Sequence, residues 1–117
     1  MMGRPIIIAA LLAVLAMPSF AEEASEDTFT TVSCTGTTGE ALAANAGRTA
    51  ALFINDGTSD IYIKMGEDAV ANQGIRLNAN GGNYFMSGSN ENLRRQAVNC
   101  ITSSATVVLS VVEWAVQ

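Results

Sequence analysis

The chain has no histidine among its 117 residues. That absence removes the commonest general base and the commonest metal-ligating side chain. No serine stands in a Gly-x-Ser-x-Gly elbow, and no nucleophile sits beside a base in any recognisable spacing. Beyond the acidic stretch Glu22–Asp27, the one adjacent acid pair, Glu67-Asp68, falls in a polar stretch that reads as a solvated turn. We therefore expect a protein that is not an enzyme and carries no cofactor.

Basic residues are also scarce. Six Lys and Arg stand against eleven Asp and Glu, for a formal net charge of −5. A surface of this sign repels nucleic acid and anionic lipid, so neither is expected as a partner. Arg94-Arg95 is the sole basic cluster. Beside Asn90, Glu91 and Asn92 it reads as a solvated loop, or as a pair with Glu91, more readily than as a phosphate grip.

What the N-terminus does contain is the order of a secretory signal. A basic opening, Met1–Arg4, precedes the apolar run Pro5–Met17, and small residues follow at Ser19 and Ala21. The run is shorter than the roughly 20 apolar residues a membrane span requires. Cleavage after Ala21 is expected, with residues 1–21 as signal peptide, 22–28 as a flexible acidic leader and 29–117 as one β-sandwich domain. After cleavage no membrane association is expected, and the protein is placed outside the cell, in the periplasm, at the cell surface or on a virion.

Secretion gives the two cysteines, Cys34 and Cys100, a default role as a disulfide. Closing a loop of about 67 residues stabilises by roughly 4 kcal/mol in the chain-entropy description. In a domain with a small core that contribution matters. A redox-active pair would call for close spacing such as Cys-x-x-Cys, and these two are far apart.

Past the acidic residues the chain reads as short strands separated by turn residues. The run "TFTTVSC" (Thr28–Cys34) is rich in β-branched residues, and a brief strand is expected over Ala41–Ala43. The runs "TAALFIN" and "DIYIKMG" are the clearest strands. In the second, Ile61, Ile63 and Met65 should face a core while Asp60, Tyr62 and Lys64 face water. The Asp56-Gly57 pair between the two predicts a hairpin. Short strands follow at Ile75–Asn78, Tyr84–Ser87, Ala97–Thr102 and Thr106–Val116. Such spacing predicts an all-β fold, a small antiparallel β-sandwich or jelly-roll-like barrel, with one disulfide.

Asn55, Asp56 and Asp60 offer oxygens, with Glu67 or Asp68 as further ligands if the loops meet. The spacing matches no calcium loop, and a plain turn is the expectation. The asparagines at 72, 78, 80, 83 and 90 have the chemistry to hydrogen-bond a glycan, although Asn is also favoured in turns for backbone reasons. The last strand differs from the others because it is apolar on both faces. Val107, Leu109 and Val111 lie on one side; Val108, Val112, Trp114 and Val116 lie on the other. Either the strand is central and covered twice, or the second set is an interface with another subunit.

The run from Arg48 to Phe85 resembles small β-sandwich domains of tailed-bacteriophage structural proteins found on heads, tails and fibres. The resemblance is carried by Arg48, the apolar Leu52 and Ile54 before Asn55, Gly57, Tyr62 and Gly66. It continues through Gly74-Ile75-x-Leu77 and the Gly81-Gly82 turn before Tyr84. It implies a non-catalytic role in assembly, surface decoration or attachment. The signal peptide and the disulfide set this chain apart from such proteins. Two functional readings follow. One is an exported structural subunit that associates with itself or with another structural protein. The other is a monomeric binding module for a glycan or protein.

Overall fold

The computed structural model describes residues 25–116; the expected signal peptide, residues 22–24 and Gln117 lie outside this range. Eight strands fill it: β1 (Ser25–Cys34), β2 (Gly39–Leu42), β3 (Arg48–Asn55), β4 (Ile61–Met65), β5 (Ile75–Leu77), β6 (Gly82–Ser87), β7 (Val98–Ile101) and β8 (Val107–Val116). They form two four-stranded antiparallel sheets, ordered β1-β8-β3-β6 and β2-β7-β4-β5. We call these the outer and inner sheet. Every consecutive connection except β4 to β5 crosses between the sheets, which is the eight-stranded jelly roll. The expected fold class is thus observed.

The core lies between the sheets. Phe53, Ile61, Ile63, Leu77, Met86, Val98, Leu109 and Val111 are all buried there. The alternation along β3, with Ala51, Phe53 and Asn55 inward, follows from the period of two in a strand. Cys34 ends β1 in one sheet and Cys100 lies in β7 of the other, and the two are bonded with their Cα atoms 5.7 Å apart. The disulfide therefore ties the sheets together through the core.

Three expectations are corrected. The stretch Asp56–Asp60 is a turn, but it does not close a hairpin: β3 and β4 belong to different sheets. The buried Asn55 side chain accepts from the Gly57 amide at 2.9 Å and donates to the Ser59 and Leu77 carbonyls at 2.8 and 2.9 Å. These bonds route the chain across the sandwich instead of back along β3. Tyr62, expected to face water, is 7% exposed, because Asn72 in the β4–β5 loop accepts its hydroxyl at 2.8 Å.

Third, the expected flexible leader, 22–28, overlaps β1. Strand β1 begins at Ser25, so Glu26, Asp27 and Thr28 are in the sheet. Their backbone pairs with the end of β8, while the side chains of Glu26, Asp27 and Thr28 remain exposed. Strand pairing requires only backbone groups, so solvated acids are compatible with it.

Among the described residues, one charged residue is fully buried. A register shift between Arg48 and Ala50 turns Arg48 inward. Its guanidinium reaches the Glu113 carboxylate at 2.7 Å and donates to the carbonyls of Arg94, Gln96 and Ala43 at 2.7, 2.9 and 2.6 Å. The planar fork of arginine suits this many fixed acceptors. It ties β3 to β8 and to the loops before β3 and β7.

Candidate functional site

The site begins with β8, which is flanked by β1 on one side and β3 on the other. Its inward residues Val107, Leu109 and Val111 are buried in the core. The other set from the sequence reading, Val108, Val112, Trp114 and Val116, lies on the outward face of the outer sheet. Val108 is 53% exposed and Val116 43%, while Val112 and Trp114 are half-buried. The strand is central, as one reading required, but among the described residues only one of its faces is covered by the second sheet.

The register extends this face across all four strands. Val112 stands opposite Phe29 of β1 and Leu52 of β3, and Leu52 stands opposite Phe85 of β6. Directly paired residues of an antiparallel ladder point to the same side. Phe29, Val112, Leu52 and Phe85 therefore form one apolar row spanning the sheet. Trp114 lies in the next row, and its ring meets that of Phe85 edge to face, with centroids 6.1 Å apart. The row beyond is mixed: Thr31, Ser110, Ile54 and Asn83. Phe29 is 65% exposed and Phe85 42%.

Sequence reasoning found the β8 members and missed Phe29, Leu52 and Phe85. The signal was present. Phe29 has the opposite parity to the buried Cys34, and Leu52 the opposite parity to the buried Phe53, so both had to point outward once those strands were placed.

The other candidates disperse. Asn55 is saturated by backbone groups, and Asp60 accepts the Ala79 amide at 2.9 Å. Among the described residues no three Asp, Glu or Cys side chains converge as a metal site would need. Arg95 donates to the Arg48 carbonyl and Arg94 to its neighbour Leu93. Of the five asparagines, Asn72 and Asn78 share an open cleft of about 410 Å³ with Tyr62, Gly74 and Arg76. Asn80, Asn83 and Asn90 do not line it; Asn80 holds a positive φ of 65° before Gly81.

No known family model matches this sequence, and no curated protein does. Among solved structures the chain is similar to the subject of "Bacillus endospore appendages form a novel family of disulfide-linked pili". The identity is 14%, the TM-score 0.54, and 80% of this chain and 88% of that one are covered. It is also similar to the stem and receptor binding domain of the spike protein P1 from bacteriophage PM2. There the identity is 14% and the TM-score 0.48, over 71% of this chain and 31% of the other. A de novo designed double-stranded β-helix matches at 19% identity with a TM-score of 0.40, over 76% of this chain and 97% of that one. The first likeness shows a shared β-sandwich fold.

Proposed function

We propose that this chain is an exported, non-enzymatic structural subunit that associates with copies of itself through the outward face of the outer sheet. The observation that carries this reading is the row Phe29–Val112–Leu52–Phe85, flanked by Trp114. Soluble monomers seldom leave a contiguous apolar patch of this kind open, and such patches mark interaction surfaces. Its three aromatic residues, Phe29 and Phe85 at the ends of the row and Trp114 beside it, are of the kind interface cores favour. Strands of ten, ten, eight and six residues, about 4.8 Å apart, offer roughly 550 Å² of face. That is about two-thirds of the ~800 Å² per partner of a standard stable interface.

Supporting context comes from two directions. A disulfide buried in the core fits an oxidising compartment, in line with the signal-like N-terminus. The fold is shared with a subunit described as forming pili. Those pili are described as disulfide-linked, whereas both cysteines of this chain are joined to each other, so contacts between its copies would be noncovalent.

The decisive experiment is the mass in solution of the chain exported to an oxidising periplasm, by size exclusion with light scattering. A discrete, concentration-dependent oligomer is expected. A monomer at every concentration would sink the reading and favour the binding-module alternative, with the Tyr62–Asn78 cleft as the place to test glycans.

A further inference from the structure

A jelly roll has four sheet edges, and in this chain they are not equivalent. The inner sheet ends in β2 and β5, which are four and three residues long. Edges that short give an incoming strand too few partners to pair with. The outer sheet ends in β6 and β1.

The C-terminal end of the β6 edge is capped by a side chain. The Ser87 amide donates to Asn92 Oδ1 at 3.0 Å, and Asn92 Nδ2 donates to the Phe85 carbonyl at 3.0 Å. The same Nδ2 also reaches the Tyr84 hydroxyl at 3.2 Å. The carboxamide of Asn92 thus presents one acceptor and one donor to β6, as the next strand of a sheet would.

Among the described residues, no side chain covers the β1 edge in this way over Thr28–Ser33. It is ten residues long, and among the described residues it pairs with β8 alone. Between Thr28 and Ser33 it carries no Lys, Arg, Pro or Gly, the devices by which natural edges resist pairing. Every residue from Thr28 to Thr31 is exposed, including Phe29.

We infer that the free edge of β1, over Thr28–Ser33, receives β1 of a second copy in antiparallel orientation, continuing the outer sheet across the subunit boundary. This deepens the self-association reading and rests on it. The choice of occupant follows from the other edges. With β2 and β5 short, and β6 six residues long and capped at its end, the longest open edge among the described residues is β1. The orientation follows from charge. Glu26 and Asp27 sit at one end of the strand, so a parallel pair would place acids beside acids. An antiparallel pair places them towards the uncharged Val32-Ser33 end of the other copy, and like charges directly opposite are unfavourable. The contact is isologous and closes at two. It also joins the two apolar rows through Phe29 into one face.

The test uses the exported chain. Hydrogen exchange over the peptide spanning residues 27–33 is compared in the assembled and the diluted protein. Amides of an edge strand that point away from β8 exchange fast in the monomer and become protected on pairing, so the fast fraction should fall by about half. A Thr30→Lys, Thr31→Lys variant should associate at least tenfold more weakly while keeping wild-type near-ultraviolet dichroism. The stoichiometry should be even.

Equal exchange in both states overturns the edge contact. So does protection already complete in the monomer, which would mean that another segment holds the edge. An odd-numbered assembly overturns it as well. If Val112→Glu dissociates the assembly and the lysine variant does not, face association stands and the edge inference falls. If the lysine variant misfolds, the exchange measurement on the wild-type chain decides alone.

Discussion

Arg48 and Glu113 form an ion pair 2.7 Å long inside the sandwich, with the arginine side chain fully shielded and the glutamate 15% exposed. The same guanidinium holds three backbone carbonyls, so its loss would orphan four acceptors together. Arg48→Leu should therefore cost about 3–5 kcal/mol, because it leaves a buried charge unpaired. Glu113→Gln keeps an acceptor and should cost about 1–3 kcal/mol. Urea unfolding of both variants checks the order, and equal stability of Arg48→Leu and wild type would refute it.

Asn55 offers a sharper test of local geometry. Asn55→Asp preserves shape and the acceptor for the Gly57 amide, but replaces a donor to two carbonyls with a carboxylate. We expect it to destabilise as much as Asn55→Ala, by about 2–4 kcal/mol, since repulsion between buried acceptors replaces two bonds. A well-tolerated aspartate would show that the crossing between β3 and β4 does not depend on those bonds.

On the outer face, Val112→Glu puts a charge in the middle of the apolar row at a half-buried position. Folding should lose only about 1 kcal/mol, while association weakens at least tenfold. Light scattering and circular dichroism on the same sample separate the two effects. Outright unfolding would mean that this face is packed as core.

Replacing both cysteines with serine should lower stability by about 2–5 kcal/mol, or the thermal midpoint by roughly 10–25 °C for a domain this size. The wild-type assembly should nevertheless release single chains in hot detergent without reductant, because no cysteine remains to link copies. Detergent-resistant, reductant-sensitive multimers would contradict this.

Much of the architecture was legible because side-chain alternation reports directly on burial. The parity of Val107, Leu109 and Val111 against Val108, Val112 and Trp114 anticipated the two faces of β8, and two distant cysteines anticipated the staple. Other features depend on partners far along the chain. Arginine is rarely buried, and nothing beside Arg48 announces Glu113, 65 positions away. A turn with Asp-Gly looks the same whether it closes a hairpin or crosses a sandwich; the difference lies in the carbonyl of Leu77, 22 positions beyond Asn55. The candidate site was half legible: its central strand could be read from one segment, but the row across β1, β3 and β6 required the register.

The position of the disulfide also has a mechanical meaning. Ser25 and Val116 face each other across the β1–β8 ladder, so pulling the described ends apart opens that ladder rung by rung, a geometry that yields at low force. The tear runs as far as Cys34, where the covalent bond to Cys100 takes the load. Residues 35–99 are then short-circuited: tension passes around them, and they cannot be drawn out. A subunit strained within an assembly would lengthen by a fixed amount and stop, with β2 to β6 spared and ready to recoil.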